Sequence, residues 1–376
     1  MTLDAFFLPV ASDAKDKSGR RFCLFYQPET QSDWRGAVVY VHPFAEEMNK
    51  SRRMAALQTR ALAAAGYAVL QIDLQGCGDS SGDFGDATWE RWVEDVCLAC
   101  HWLQQRSTAE LWIWGLRVGG LLASAAAARI DRPSNLLLWQ PVVSGKQFLQ
   151  QFLRLKLASE MQGSDPKKLM ERIHRQLAQG QSVEIAGYRL SSGLAGGLEK
   201  AELSPAGQTR EIEWLELSAR QDAEASLSPL ASIRLEKWQA AGRSARGQAV
   251  GGPAFWQTAE ISECPALLEA SPCDSTIEGW ATAMARCAIS RKLPTISARR
   301  LIRSRVHVRR FGASCCGACA TPHRVRCCTC RLPGIRGSPD WSCSTPWVRS
   351  EASLAQRISG TITASACCRK SSGSSC

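Results

Sequence analysis

The sequence predicts an α/β protein: a mostly parallel sheet with helices on both faces and a small helical cap. Three observations carry this. Short, continuous apolar runs recur along the first half of the chain, the pattern of strands buried on both faces. Stretches of helical periodicity alternate with them, and a strand that returns parallel to its predecessor needs such a crossover. Glycine-rich turns sit where strands give way to helices.

The first such strand is Gly36–Phe44 (GAVVYVHPF). Ser51–Ala65, rich in Ala, Leu and Arg, reads as a helix stopped by Gly66. Tyr67–Leu74 (YAVLQIDL) is a second buried strand and runs into the turn QGCGDSSGDFG. In the helix Thr88–Gln105, Trp89, Trp92, Val93, Val96, Cys97, Cys100 and Leu103 share one face, and Glu90, Arg91, Glu94 and Asp95 the other. Leu111–Trp114 is a third strand, followed by a sharp glycine turn and a helix through Arg129; Asn135–Trp139 (NLLLW) is a fourth. From Lys146 to Lys200 long charged helical stretches replace the alternation and read as a cap inserted over the sheet. Strand signal returns at Ile212–Leu217 (IEWLEL), followed by a helix and then Gly247–Ile261. The expected organisation is a first part of the core in 1–145, a cap in 146–200, a return to the core in 201–270, and a separate tail, 271–376.

With 45% hydrophobic and 22% charged residues, a sizeable core is available and a wholly disordered chain is excluded. The formal charge of +11 is unevenly spread: residues 271–376 hold 17 of the 46 Lys and Arg against four acids, so the body is slightly acidic. Twelve of the 17 cysteines lie in the same tail. The five in the body, Cys23, Cys77, Cys97, Cys100 and Cys264, fall in apolar or turn patterns and read as small buried hydrophobes in a reducing compartment. The start MTLDAFFLPVASDAK lacks the basic region and long apolar run of a signal peptide. The longest apolar stretch, Leu111–Ala128, carries Arg117 at its centre, and a charge at mid-bilayer costs about 2.5–3.5 kcal/mol. A soluble, cytoplasmic protein without a membrane span is expected.

The strongest motif is Trp114–Gly120, W-G-L-R-V-G-G, between a strand and a helix. Small residues at Gly115 and Gly119 bracket one side chain on a tight turn, and the helix start aims backbone N–H groups at whatever that side chain holds. This is the spacing of a G-x-S-x-G nucleophile elbow, with Arg117 in place of the serine. Upstream, His42-Pro43-Phe44 ends one strand, and D-L-Q-G-C-G-D-S-S-G (Asp73–Gly82) follows the next.

In this order and spacing the segments VVYVHPFAEEMNKSRR, DLQGCGDSSGDF, WIWGLRVGG, VEIAGYRLSSGL and GPAFWQTAEI resemble the α/β-hydrolase family over residues 1–270. More narrowly, the G-L-R elbow and GPAFWQ resemble the exosortase A system-associated hydrolases of type 2. That resemblance implies an α/β-hydrolase fold and a hydrolase-like protein of the ester and acyl class, linked to exopolysaccharide and PEP-CTERM systems. It places an oxyanion loop at His42 and Phe44, the nucleophile position at Arg117, and the acid at Asp222 or Glu224. The ligand would be a small acyl or ester compound, held under the cap by His42, Phe44, Asp73, Arg117 and Val118. No cofactor, metal or nucleic acid is called for.

The departures from the family pattern bear on mechanism. A serine triad needs a nucleophile, a base and an acid to orient the base. Arg117 stays protonated and cannot attack. Gly247–Ile261, where the family carries its histidine, has none, and the body's histidines are His42, His101 and His174. His101 and His174 read as helix-surface residues. Arg117 suits either an anionic acyl ligand, held bidentately at the helix start, or an internal ion pair with Asp73, Asp79 or Asp222. A non-catalytic binding or scaffolding protein is therefore the alternative to an enzyme.

The tail has its own motifs. Cys316–Cys319 and Cys327–Cys330 are two C-x-x-C pairs with His323 between them, a candidate zinc set, and the Arg-rich composition suggests nucleic acid. Cysteine is so frequent there that such spacings arise by chance, and no known module is present. The abrupt loss of strand and helix patterning reads instead as out-of-frame translation of GC-rich DNA, an extension without function.

Overall fold

The computed structural model describes residues 1–10, 19–29, 34–159, 165–205, 207–219 and 226–271. The chain divides into two units, Met1–Thr295 and Ile296–Cys376, and the second lies wholly outside the described residues. The tail motifs, Asp222 and Glu224 also lie outside them.

Three of the expected strands appear almost as read: β3 (Gly36–Val41), β4 (Tyr67–Ile72) and β5 (Leu111–Leu116). They are joined by α1 (Glu46–Ala64) and α2 (Trp89–Gln104). α3 (Val118–Ala127), β6 (Ser134–Trp139), β9 (Thr209–Ser218), α7 (Pro229–Ala240) and β10 (Ser244–Gly251) complete the alternation. α1 begins five residues ahead of the expected Ser51, so the Glu46-Glu47 pair forms its first turn, where acids complement the helix dipole.

Two strands at the amino terminus are additions to the sequence reading. β1 (Thr2–Pro9) and β2 (Arg20–Gln27) pair antiparallel, and β2 pairs antiparallel with β4. The eight-stranded sheet runs β1-β2-β4-β3-β5-β6-β9-β10, parallel from β4 onward. This is the α/β-hydrolase fold.

Continuous apolar strands serve two cores at once. Ala37, Val39 and Val41 of β3, with Leu111 and Ile113 of β5, face the core that takes in α2, α3 and α7. Val38 and Tyr40, with Trp112, Trp114 and Leu116, face the core beneath α1 and α8 (Pro265–Glu269). Burying one such side chain contributes about 1.5–3 kcal/mol. The body extends at least to Ser271, which is fully buried and accepts a 2.8 Å hydrogen bond at Oγ from the Trp139 indole.

Between β6 and β9 lie α4 (Gly145–Ser159), α5 (Pro166–Ala178), a hairpin of β7 (Val183–Ile185) and β8 (Tyr188–Leu190), and α6 (Ser192–Lys200). The hairpin stands in a region the sequence reading gave to helices. Ala186 (φ 49°) and Gly187 (φ 83°) turn it, and positive φ at both central residues is the preference of a tight hairpin. Among the described residues no helix is long and apolar enough to cross a membrane.

Candidate functional site

The elbow is built by backbone packing. Arg117 has φ 55° and ψ −120°, a conformation that costs a side-chain-bearing residue about 1–3 kcal/mol. Its N–H donates to Trp139 O (3.0 Å), and its carbonyl accepts from Val142 N (3.2 Å) and Gly120 N (3.0 Å). A β-carbon at Gly119 would stand 2.3 Å from Val41 O, and one at Gly115 would stand 2.5 Å from Gly119 O. The two glycines are thus required by the approach of α3 to β3 and β5, whatever side chain the turn presents. Val118 opens α3 with its side chain buried, and its N–H belongs to the first turn, which lacks intrahelical acceptors.

The Arg117 side chain is paired internally with Glu47, and neither Asp73 nor Asp79 is its partner; Asp222, the third aspartate considered, lies outside the described residues. The Arg117 Nε donates to Glu47 Oε1 at 3.3 Å, and the two side chains are 15% and 16% exposed. Glu47 reaches the elbow because α1 starts early. Burial pushes its carboxyl above the usual range, against the pull of Arg117. The guanidinium carbon also lies 5.4 Å from the Trp256 ring centroid and 6.0 Å from that of Phe148. Phe148 comes from α4, and Trp256 from the loop after β10, where the hydrolase pattern expects its histidine.

The other predicted site residues are held by their own contacts. His42 is buried; its Nδ1 lies 2.8 Å from Pro43 O, and its Nε2 accepts from Leu74 N at 3.3 Å. One neutral tautomer satisfies both bonds, and it leaves no lone pair for taking a proton. Burial lowers its pKa, with Asp73 pulling the other way. Phe44 is buried with its ring 5.1–5.7 Å from those of Phe84, Trp92, Phe148 and Phe152, so it anchors the cap.

Asp73 holds the glycine-rich turn, accepting from Asp79 N at 3.1 Å and from Arg52 at 3.4 Å. A β-carbon at Gly78 would lie 1.9 Å from Asp73 Oδ2, so this turn needs glycine there. Asp95, read as a solvent-facing residue of α2, is instead buried against Arg21 of β2 at 2.7 Å. It also accepts from Gln75 N at 2.8 Å, and burial pushes its carboxyl up to about 6. The strand carrying Arg21 was missing from the sequence reading, so nothing there called for a buried carboxylate. His101 and His174 are exposed on α2 and α5.

The elbow thus brings together Arg117, Glu47, Phe148 and Trp256, of which sequence reasoning singled out only the first. Glu47 and Trp256 lie within the quoted segments HPFAEEMNKSRR and GPAFWQ, but only the fold sets them beside Arg117. As arranged, the group sets a guanidinium and a carboxylate beside two aromatic rings, an arrangement that suits a polar ligand head.

A family model described as serine aminopeptidase, S33, matches residues 32–193. Est1E from Butyrivibrio proteoclasticus, solved with ferulic acid bound, is 16% identical, with 72% of this chain and 97% of that chain covered and a TM-score of 0.49. The hydrolase GrgF from Penicillium sp. sh18 is 16% identical over 76% of this chain and 100% of that chain, TM-score 0.46. A thermostable carboxyl esterase from Bacillus coagulans is 16% identical over 67% and 91% respectively, TM-score 0.41. No curated protein matches the chain. Over its matched segment the chain resembles α/β hydrolases.

Proposed function

We propose that this is a hydrolase-fold protein that binds an acyl or ester compound at the elbow and does not turn it over by a serine triad. We further propose that it is a counterpart of the exosortase A system-associated hydrolases of type 2, with a cytoplasmic role in the export of surface polymers. One observation carries the reading: the nucleophile position holds Arg117, ion-paired to Glu47 and flanked by Phe148 and Trp256. The binding site lies at the carboxyl ends of the parallel strands, the usual place for a ligand in such sheets. Free, buried thiols at Cys23, Cys77 and Cys100 fit a reducing compartment.

A site without the nucleophile and base of a triad falls far below a working esterase. Calorimetric titration of the full chain with methyl hexanoate checks the proposal. A saturable isotherm with the ester recovered intact is expected, and an Arg117→Ala variant should weaken binding at least fivefold. Absence of binding, or equal binding by the variant, would remove the elbow as the site.

A further inference from the structure

Three polar groups meet around the elbow, and two of them carry buried atoms without partners. Glu47 uses Oε1 on Arg117, while its Oε2 is buried and has no hydrogen-bond partner among the described residues. Trp256, 5% exposed, stacks near the guanidinium, and its indole Nε1 is likewise buried and unpartnered. The two are of opposite kind: a carboxylate oxygen accepts, and an indole N–H donates. Arg117 donates only, and its charge is already answered by Glu47.

We infer that the elbow is a binding site for an uncharged polar head that both donates and accepts, of which a carboxamide on an acyl chain is the simplest acyl form; this rests on the ligand-binding reading above. The amide N–H₂ meets the free Glu47 oxygen, and its carbonyl meets the donors of Trp256 and Arg117. A carboxylate brings no donor and sets a second negative charge beside Glu47. An ester accepts but leaves the Glu47 oxygen unpaired, so it ranks between the two. Phe148 joins this polar group to the buried aromatic cluster of Phe44 and Phe152.

The test is calorimetry of the full chain with hexanamide, methyl hexanoate and hexanoate at pH 7.5. Hexanamide should bind at least tenfold more tightly than hexanoate, with the ester between. In Glu47→Gln, which frees the Arg117 charge for a carboxylate, the hexanamide-to-hexanoate preference should fall at least tenfold. Trp256→Phe keeps the ring and removes the N–H; it should weaken amide and ester at least fivefold with an unchanged melting temperature, and it serves if Glu47→Gln does not fold. Hexanoate binding as tightly as hexanamide, or a preference unmoved by both variants, would overturn the inference while leaving the binding reading intact. Failure of all three compounds to bind a folded chain would defeat the binding reading itself.

Discussion

At the scale of single residues, a histidine with both ring nitrogens engaged makes a poor base, and His42 is such a residue. Protonating Nε2 would set a donor against the Leu74 N–H. The folded pKa of His42 is lowered, while the unfolded value stays near 6.5. Above that pH both states are neutral; as pH falls through it, the unfolded state takes up a proton that the folded state refuses. Stability from His42 is therefore lost on acidification, by up to about 1.4 kcal/mol per pH unit. Asp95 acts with the opposite sign, since its raised carboxyl binds a proton in the folded state first. The clean readout is the difference between wild type and His42→Gln in urea unfolding at pH 7.5 and pH 5.5. The wild type should lose its margin over the variant at the lower pH, and a constant difference would mean that His42 is not held neutral. Arg117 was legible as an anomaly because a glycine-bracketed turn fixes its position by local sequence alone. Its partners were not, since Glu47 lies 70 positions away and arrives only through the early start of α1.

At the scale of elements, the buried strands were legible because a strand with two buried faces leaves no polar positions. The β7–β8 hairpin was not. Its turn is Ala186-Gly187 where an Asn-Gly would have announced it, and only three residues form each strand. The cap packs on the body through one of two neighbouring glycines in α6. A β-carbon at Gly197 would lie 2.1 Å from Trp89 Cβ, whereas one at Gly196 meets nothing within 4 Å. Gly196→Ala should therefore raise stability by about 0.4–1 kcal/mol through helix propensity. Gly197→Ala should lower it by about 1–3 kcal/mol, the usual cost of overpacking. Urea midpoints of the two variants check this, and equal effects would contradict the close approach of α6 to α2.

At the scale of the whole molecule, the fold retains the elbow turn and the glycine-rich turn, with Arg117 where a G-x-S-x-G turn carries its serine. Backbone packing explains the retention: Gly115, Gly119 and Gly78 are demanded by contacts made whether or not catalysis occurs. The two turns therefore keep their shape whatever side chain stands at the elbow. The most direct measurement is the initial rate of p-nitrophenyl butyrate cleavage by the full chain beside Arg117→Ala. The account predicts that both proteins stay at the solvent background. Turnover well above background in the wild type, lost in the variant, would contradict it and make Arg117 part of a working catalytic site.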